Sequence, residues 1–494
     1  MADNLRSKGI NAILWDFFGK IARYGTTFIV TVFLARILEP SDFGLIAMIM
    51  VIVMVAMVFT DVGLSGALIQ RRKVLPVHYS SVFYFNLIIG GVLTLLTFFS
   101  ATWLSEFYDN KALIPITEVI ALMFVINAFS SVQTTKLRKE LNYSALAKGE
   151  VSAAVLSGIT GIALALLGAG VWSLVAQALS RGVFYNIFIW TTSKWVPSLL
   201  FSFKALRQLW GFGFRMFLSG LMEAVFLRLD IMIIGKLFTP TILGFYDQAK
   251  RLNEMIIYFS SGSIMTVLFP VLSKVQKDLP RFQKIVIKVL GIISFIVFFL
   301  LGIMYLISEE LIILLLTEKW LPSVEYFKIM LLSGFAYPIS ALLVNILSSR
   351  GNSKVFLKLE IYKKILLAIN LYIGFLFGIK GYLYGFVIVA ILGISLNILF
   401  VSREISLSFL TFLKPVLIQM IISIFSVLMI LLTYNIESSI MINMMIKGVL
   451  FTVSYLLISR LFKTNSYIYT MEQLVPLVNR LLRNNIIFNT KKKG

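Results

Sequence analysis

Phe33-Leu-Ala-Arg-Ile-Leu-Glu-Pro-Ser-Asp-Phe-Gly-Leu45 is answered, 200 positions on, by Ile233-Ile-Gly-Lys-Leu-Phe-Thr-Pro-Thr-Ile-Leu-Gly-Phe245. Arg36 falls on Lys236, Pro40 on Pro240 and Gly44 on Gly244. A shift of 210 then lays Asn142, Lys148 and Glu150 on Asn352, Lys358 and Glu360, and one further residue lays Gly170-Val-Trp on Gly381-Tyr-Leu. Landmarks at nearly constant spacing mark an internal repeat. Each half holds six apolar spans in the same orientation, a parallel repeat about an axis along the membrane normal, which is a plan that transporters use.

The spans follow from hydropathy. A helix that crosses hydrocarbon needs about 20 mostly apolar residues. Windows of that kind run over Ala12–Leu38, Phe43–Ile69, Ser81–Leu104, Leu113–Thr135, Leu146–Leu167, Val171–Thr192 and Leu206–Phe238. They continue over Ile242–Leu272, Ile285–Ile307, Val324–Leu347, Val355–Phe377, Gly381–Val401, Phe412–Tyr434 and Ile440–Ile458. The expected fold is therefore an all-α membrane protein of about 14 transmembrane helices: two pseudo-symmetric six-helix bundles plus two C-terminal helices. The expected organisation is an N-terminal bundle (1–197), a linker (198–206), a C-terminal bundle (207–403), helices 13 and 14 (404–462) and a basic tail (463–494). No linker exceeds roughly 20 residues, so no extramembrane domain fits between spans.

Composition agrees. Of 494 residues, 59% are hydrophobic and 14% charged, with a mean hydropathy of +0.92. The net charge of +22 is dispersed through short loops instead of forming one patch, which argues for membrane topology over nucleic acid. Alternate loops hold about 31 basic residues against about three, the asymmetry that places the basic loops, and both termini, in the cytoplasm. The rich set includes Arg71, Arg72 and Lys73, then Lys136, Arg138 and Lys139, then Lys194, Lys204 and Arg207. The poor set holds Lys111, Lys319 and Lys380 among several acids. The N-terminus has no small-residue cleavage site and reads as an uncleaved first span. The stretch Thr470–Asn484 spaces its leucines as an amphipathic helix lying on the cytoplasmic leaflet.

Absence of cysteine excludes disulfides, thiolate metal sites and thiol nucleophiles. The single histidine, His78, reads as a solvated residue of a short polar linker, so no metal site and no histidine-based catalytic group is expected. There is no Gly-rich phosphate loop, so ATP is not the direct energy source, and no cofactor is implied.

Charged residues inside spans are costly and face bundle interiors or wet cavities, which makes them the candidate site. In span one Asp16, Lys20, Arg23 and Thr27 form one helical stripe; in span seven Arg215, Ser219, Glu223 and Asp230 do the same. The 200-residue shift lays Arg23 on Glu223, so the two stripes are expected to face each other. Lys20, Arg23, Arg215 and Arg228 are the candidate anion-binding cations, because Arg and Lys supply charge-assisted donors to phosphate oxygens; the alternative is that the span charges form inter-helical ion pairs that hold the halves in one alternating state. Asp61, Glu223 and Asp230 are the candidate cavity or ion-coupling acids, for a proton or sodium. Span eight adds Asp247, Lys250, Arg251 and Glu254, spaced to pair along the helix. Arg181 stands nearly alone in span six. Tyr24, Trp210, Tyr246 and Tyr258 offer aromatic surface to a sugar.

At four places the chain resembles a known family. Leu34-Ala-Arg-Ile-Leu-Glu-Pro-Ser-Asp-Phe-Gly44, Asp61-Val-Gly-Leu-Ser-Gly-Ala-Leu-Ile-Gln70, Arg228-Leu-Asp-Ile-Met-Ile-Ile-Gly-Lys236 with Leu243-Gly-Phe-Tyr-Asp-Gln-Ala-Lys-Arg-Leu252, and Phe269-Pro-Val-Leu-Ser273 carry the resemblance. They look like the Wzx-like polysaccharide transporters of the multidrug/oligosaccharidyl-lipid/polysaccharide exporter superfamily. The resemblance implies a flippase that moves an undecaprenyl-pyrophosphate-linked oligosaccharide to the outer face of a bacterial plasma (inner) membrane, by alternating access. It implies membrane lipids, and a polysaccharide polymerase or other envelope-synthesis proteins, as partners. A cation-coupled multidrug exporter of the same superfamily and a non-transporting envelope-synthesis scaffold are the alternatives. A membrane polymerase or ligase would need a long outer catalytic loop, and the outer loops are short, so no enzyme is expected.

Overall fold

In hydrocarbon no water satisfies a backbone amide, so each apolar segment must bond within itself, and helices do this. The computed structural model describes residues 2–350, 352–434, 438–474 and 476. Within these, the side chains at 2–10, 13, 212, 215, 216, 219, 258–267, 269, 270, 353 and 354 fall outside the description. Among the described residues every regular element is helical.

The chain divides into two units, Met1–Asp247 and Gln248–Gly494. The first holds α1 (Ala2–Ile37), α2 (Pro40–Asp61), α3 (Leu64–Gln70), α4 (Pro76–Phe99), α5 (Ala101–Tyr108) and α6 (Leu113–Ile120). It continues with α7 (Met123–Lys139), α8 (Tyr143–Leu166), α9 (Val171–Ser193), α10 (Phe203–Phe226), α11 (Leu229–Leu237) and the start of α12 (Pro240–Val275). The second holds the rest of α12 with α13 (Leu279–Leu306), α14 (Ser308–Leu316), α15 (Pro322–Ser333), α16 (Ala336–Ser349) and α17 (Ser353–Leu376). It closes with α18 (Gly378–Glu404), α19 (Phe409–Thr433) and α20 (Ile440–Leu461).

Ten helical stretches among the described residues are long and apolar enough to cross a membrane. The other four expected spans also fold as helices, in α9, α10 with α11, α12 and α17, with polar side chains interrupting their apolar runs. Two of the spans expected to be continuous are broken where charge sits. Phe43–Ile69 divides at Val62 and Gly63, with φ of 44° and 72°. Glycine takes that left-handed backbone freely, whereas valine takes it only under strain. Leu206–Phe238 divides at Leu227 and Arg228, between α10 and α11.

The repeat landmarks are structural. Pro40 and Pro240 each open a helix, where a missing N–H costs nothing. Within the first unit those two helix starts cross backbone to backbone. A Cβ on Gly44 would lie 1.8 Å from the Pro240 carbonyl oxygen, and one on Gly244 would lie 1.9 Å from that of Pro40. Only glycine permits this approach. Asn142 and Asn352 are both N-caps, accepting from the backbone N–H of Ala145 and Val355. Past the next helix the shift of 210 persists, since Gly168 (φ 79°) and Gly378 (φ 74°) are equivalent left-handed residues. Gly170 and Gly381 are not equivalent: Gly170 precedes α9, whereas Gly381 lies inside α18.

In the first unit α8 packs along α1 and α9. From Ala147 on, its buried face is Ala147, Gly149, Ala153, Ala154, Ser157, Gly158, Gly161 and Ala165, a run of small side chains that lets helices approach closely. A Cβ on Gly158 would lie 2.3 Å from Val30 Cγ2 of α1. His78 is not a solvated loop residue. It is buried in the first turn of α4, where Nδ1 accepts from the Leu75 N–H (3.2 Å). That leaves Nε2 as the protonated nitrogen, donating to Gln208 Oε1 at 3.2 Å.

In the second unit α19 and α20 pack on α13 around buried Phe295, Ile422, Phe451 and Tyr455. The Tyr455 hydroxyl lies 2.8 Å from Gln419 Oε1. Of the expected interfacial helix Thr470–Asn484, residues 475 and 477–484 lie outside the described residues; the described part is helical to 474, with Glu472 2.9 Å from Lys288.

Candidate functional site

The close packing of α1, α8 and α9 brings three charges together inside the first unit. Arg23 of α1 stands nine residues past Leu14, where the apolar part of that helix begins. Glu150 of α8 stands seven past Tyr143, and Arg181 of α9 twelve before Ser193. At a rise of about 1.5 Å per residue these lie roughly 10–18 Å in from the helix ends expected to be cytoplasmic. Glu150 Oε2 is 3.5 Å from an Arg181 Nη and 3.9 Å from Arg23 Nε. One carboxylate oxygen is thus shared by two guanidinium groups, at the outer limit of a hydrogen bond to Arg181 and as an ion pair alone to Arg23. The side chains are 30% (Arg23), 33% (Arg181) and 37% (Glu150) exposed, so the cluster is accessible as well as paired.

Neighbours orient it. The Arg23 guanidinium lies over the Tyr24 ring, 4.5 Å from its centroid, and Lys148 lies 5.7 Å from the ring centroid of Trp15. Tyr185, one turn from Arg181, hydrogen-bonds Thr134 of α7 at 3.2 Å and is within electrostatic reach of Glu150, Arg138 and Arg23. One turn towards the N-terminus of α1 from Arg23, Lys20 pairs with Asp16 at 2.6 Å.

A second polar centre sits at the break between α2 and α3. The Asp61 carboxylate accepts from the Ser65 N–H (3.1 Å), the Ser65 hydroxyl (2.6 Å) and Asn86 Nδ2 (3.3 Å). It supplies a backbone donor of α3 with the acceptor that the first turn of a helix lacks. Asn86 Nδ2 also donates to Ser131 Oγ (2.9 Å), and Thr135 donates to Ser65 Oγ (2.7 Å). Asp61 has no ion pair among the described residues, and Arg138 acts on it from a distance. Lys139, counted above as a topology charge, caps α3 by donating to the carbonyl of Leu68 at 2.6 Å.

The remaining candidates separate. Glu223 is exposed on α10, a helix that packs on α2, α3 and α4, whereas α1 packs on α8; no described ion pair joins it to Arg23. Arg228 is half-buried at the start of α11, and Asp230 is buried and accepts from the Tyr246 hydroxyl at 2.5 Å. Asp247 is buried, Lys250 half-buried, and Arg251 and Glu254 exposed. The side chains of Arg215 and Tyr258 lie outside the described residues. Trp210 stacks on Phe214 at 6.1 Å.

Arg181 does not stand alone: Glu150, noted in the sequence only as a repeat landmark, is its partner. The signal was present in two places. Gln177, Arg181 and Tyr185 form a stripe of period four, and Lys148 and Glu150 interrupt an otherwise apolar run.

Over residues 33–325 the sequence matches the polysaccharide biosynthesis protein family. The lipopolysaccharide biosynthesis protein WzxC of Escherichia coli (strain K12) is 23% identical over 403 residues, spanning 80% of this chain and 81% of that protein. Among solved structures, lipid II flippase MurJ in an inward closed conformation is similar with a TM-score of 0.69 and 15% identity, over 92% of this chain and 100% of that one. An inward-facing multidrug resistance MATE family transporter of the MOP superfamily is similar with a TM-score of 0.61 and 16% identity, over 78% and 94%. At such identities the likeness is one of fold. With ten stretches among the described residues long and apolar enough to cross a membrane, that fold, and a family match across more than half its length, the chain belongs to the polysaccharide biosynthesis protein family as a multi-pass membrane protein.

Proposed function

We propose that this protein translocates an undecaprenyl-pyrophosphate-linked oligosaccharide from the cytoplasmic to the outer face of a bacterial plasma membrane, for assembly of a surface polysaccharide. The observation that carries this reading is the one-third-exposed cluster of Arg23, Glu150 and Arg181 deep in apolar helices, with Lys20 a turn away. Two arginines against one glutamate leave an excess positive charge where a bare helix bundle gains nothing from it. A pyrophosphate group needs such donors to leave water. Arg215 and Arg228 are proposed as further anion-binding cations, and Tyr24, Trp210 and Tyr246 as aromatic surface for the sugar.

Fourteen spans, both termini cytoplasmic and alternating access complete the proposal. Asp61, hydrogen-bonded but without an ion pair among the described residues, is the proposed site for a coupling proton or sodium; Glu223 and Asp230 are secondary candidates. Moving one charge through the membrane potential is worth about 2.3 kcal/mol per 100 mV, enough to bias such a cycle. No covalent step is required of the chain. The test uses full-length protein in proteoliposomes, following a fluorescent undecaprenyl-pyrophosphate oligosaccharide and, separately, a cationic dye. Movement of the lipid-linked sugar supports the proposal. Movement of the dye alone selects the multidrug-exporter alternative, and movement of neither, with or without ion gradients, selects the scaffold.

A further inference from the structure

We infer that Glu150 is a built-in placeholder for the anionic group of the substrate, competing with it for Arg23 and Arg181. The inference rests on the proposed function and assigns a residue that the sequence had marked only as a repeat landmark. The geometry is that of a loose tenant. Both arginines reach a single oxygen, Oε2, at 3.5 and 3.9 Å, and Arg23 does so through Nε. Among the described residues neither the terminal nitrogens of Arg23 nor Oε1 of Glu150 makes a hydrogen bond or ion pair. Where a carboxylate is meant to hold an arginine permanently, the fork engages both oxygens at shorter range. The ring of Tyr24 under Arg23 keeps that guanidinium oriented whether or not Glu150 is in contact.

Two consequences follow. An empty site does not leave two unneutralised arginines in a low-dielectric bundle, a state that would be costly. A pyrophosphate, with more oxygens and more charge than one carboxylate, can displace Glu150; when the carboxylate returns, the anion is released. Affinity is sacrificed so that the cycle can turn over. Glu150 is in this account a positioning and specificity residue, and it favours substrates with more than one negative charge.

The test measures binding of undecaprenyl pyrophosphate to full-length protein in nanodiscs for wild type, Glu150→Gln, Glu150→Ala, Arg23→Gln and Arg181→Gln. Thermal stability of each is checked in parallel. Removing the competitor is expected to tighten binding about two- to fivefold in both Glu150 variants, the scale of a partly exposed ion pair. Removing either arginine is expected to weaken it about 10- to 100-fold, the value of one charge-assisted hydrogen bond to phosphate. In proteoliposomes Glu150→Gln is expected to lower the half-saturating lipid concentration while lowering the maximal rate, because release slows; a purely structural role would not move the two together in this way. Weaker or unchanged binding in both Glu150 variants, with the arginine variants still impaired, overturns the placeholder role and leaves the anion site intact. Unchanged binding in all four overturns both.

Discussion

Helices α8 and α17 are copies of one another with different chemistry. Both open on an asparagine N-cap, Asn142 and Asn352, both have 24 residues, and both end just before a left-handed glycine, Gly168 and Gly378. Each carries a glutamate at the same register, Glu150 and Glu360. In the first unit that glutamate reaches across to α1 and α9 and is shared by two arginines. In the second it pairs with Lys363 on its own helix, one turn away. A glutamate neutralised within its helix makes no demand on a ligand, whereas one held between two foreign arginines leaves charge to spare. The repeat has preserved caps, elbows and register, which any bundle of this shape needs, and has let the charges diverge.

The comparison can be strained first at the scaffold, where the halves should behave alike. Gly44→Ala and Gly244→Ala each drive a Cβ into a proline carbonyl that cannot yield, so each should cost about 3 kcal/mol or fail to fold. Gly91→Ala, with open space at its Cβ, should stay within about 1 kcal/mol of wild type, read by thermal unfolding in detergent. Equal tolerance at Gly44 and Gly91 would show that the crossing is not a fixed part of the fold. At the site the halves should part. Arg23→Ala or Arg181→Ala should lower translocation about 10- to 100-fold, the value of one charge-assisted hydrogen bond to phosphate, while Lys363→Ala changes it less than about twofold. A comparable loss at Lys363 would make the second unit part of the same anion path. The smallest effect belongs to the caps: Asn142→Ala and Asn352→Ala should each cost about 1 kcal/mol of stability with little change in transport rate per folded molecule.

Much of the fold was legible because the bilayer imposes one rule on every segment. The apolar windows fall largely on helix among the described residues, and the pairs Pro40/Pro240 and Asn142/Asn352 found by shifting the sequence are matched helix starts. What hydropathy did not reveal were the breaks. Asp61-Val-Gly63 is apolar enough to read through, and only the carboxylate of Asp61 folding back onto Ser65 shows why the helix turns there. The site was legible in part. A stripe on one helix, such as Asp16, Lys20 and Arg23, is a property of local spacing. The partner of Arg23 was not, because it is chosen by which helix packs closest, and that is decided by small residues such as Gly158 on α8. His78 was misread for the same reason: a lone histidine near lysine and proline reads as solvated until Gln208, 130 residues away, closes over it.

The most direct measurement is the rate at which a fluorescent undecaprenyl-pyrophosphate oligosaccharide crosses proteoliposome membranes carrying wild type, Arg181→Ala or Lys363→Ala at matched insertion. Fast transfer by wild type and Lys363→Ala, with transfer lost in Arg181→Ala, is the result expected if the first-unit cluster carries the pyrophosphate. Equal transfer by all three, or none by correctly folded wild type under any ion gradient, would contradict it.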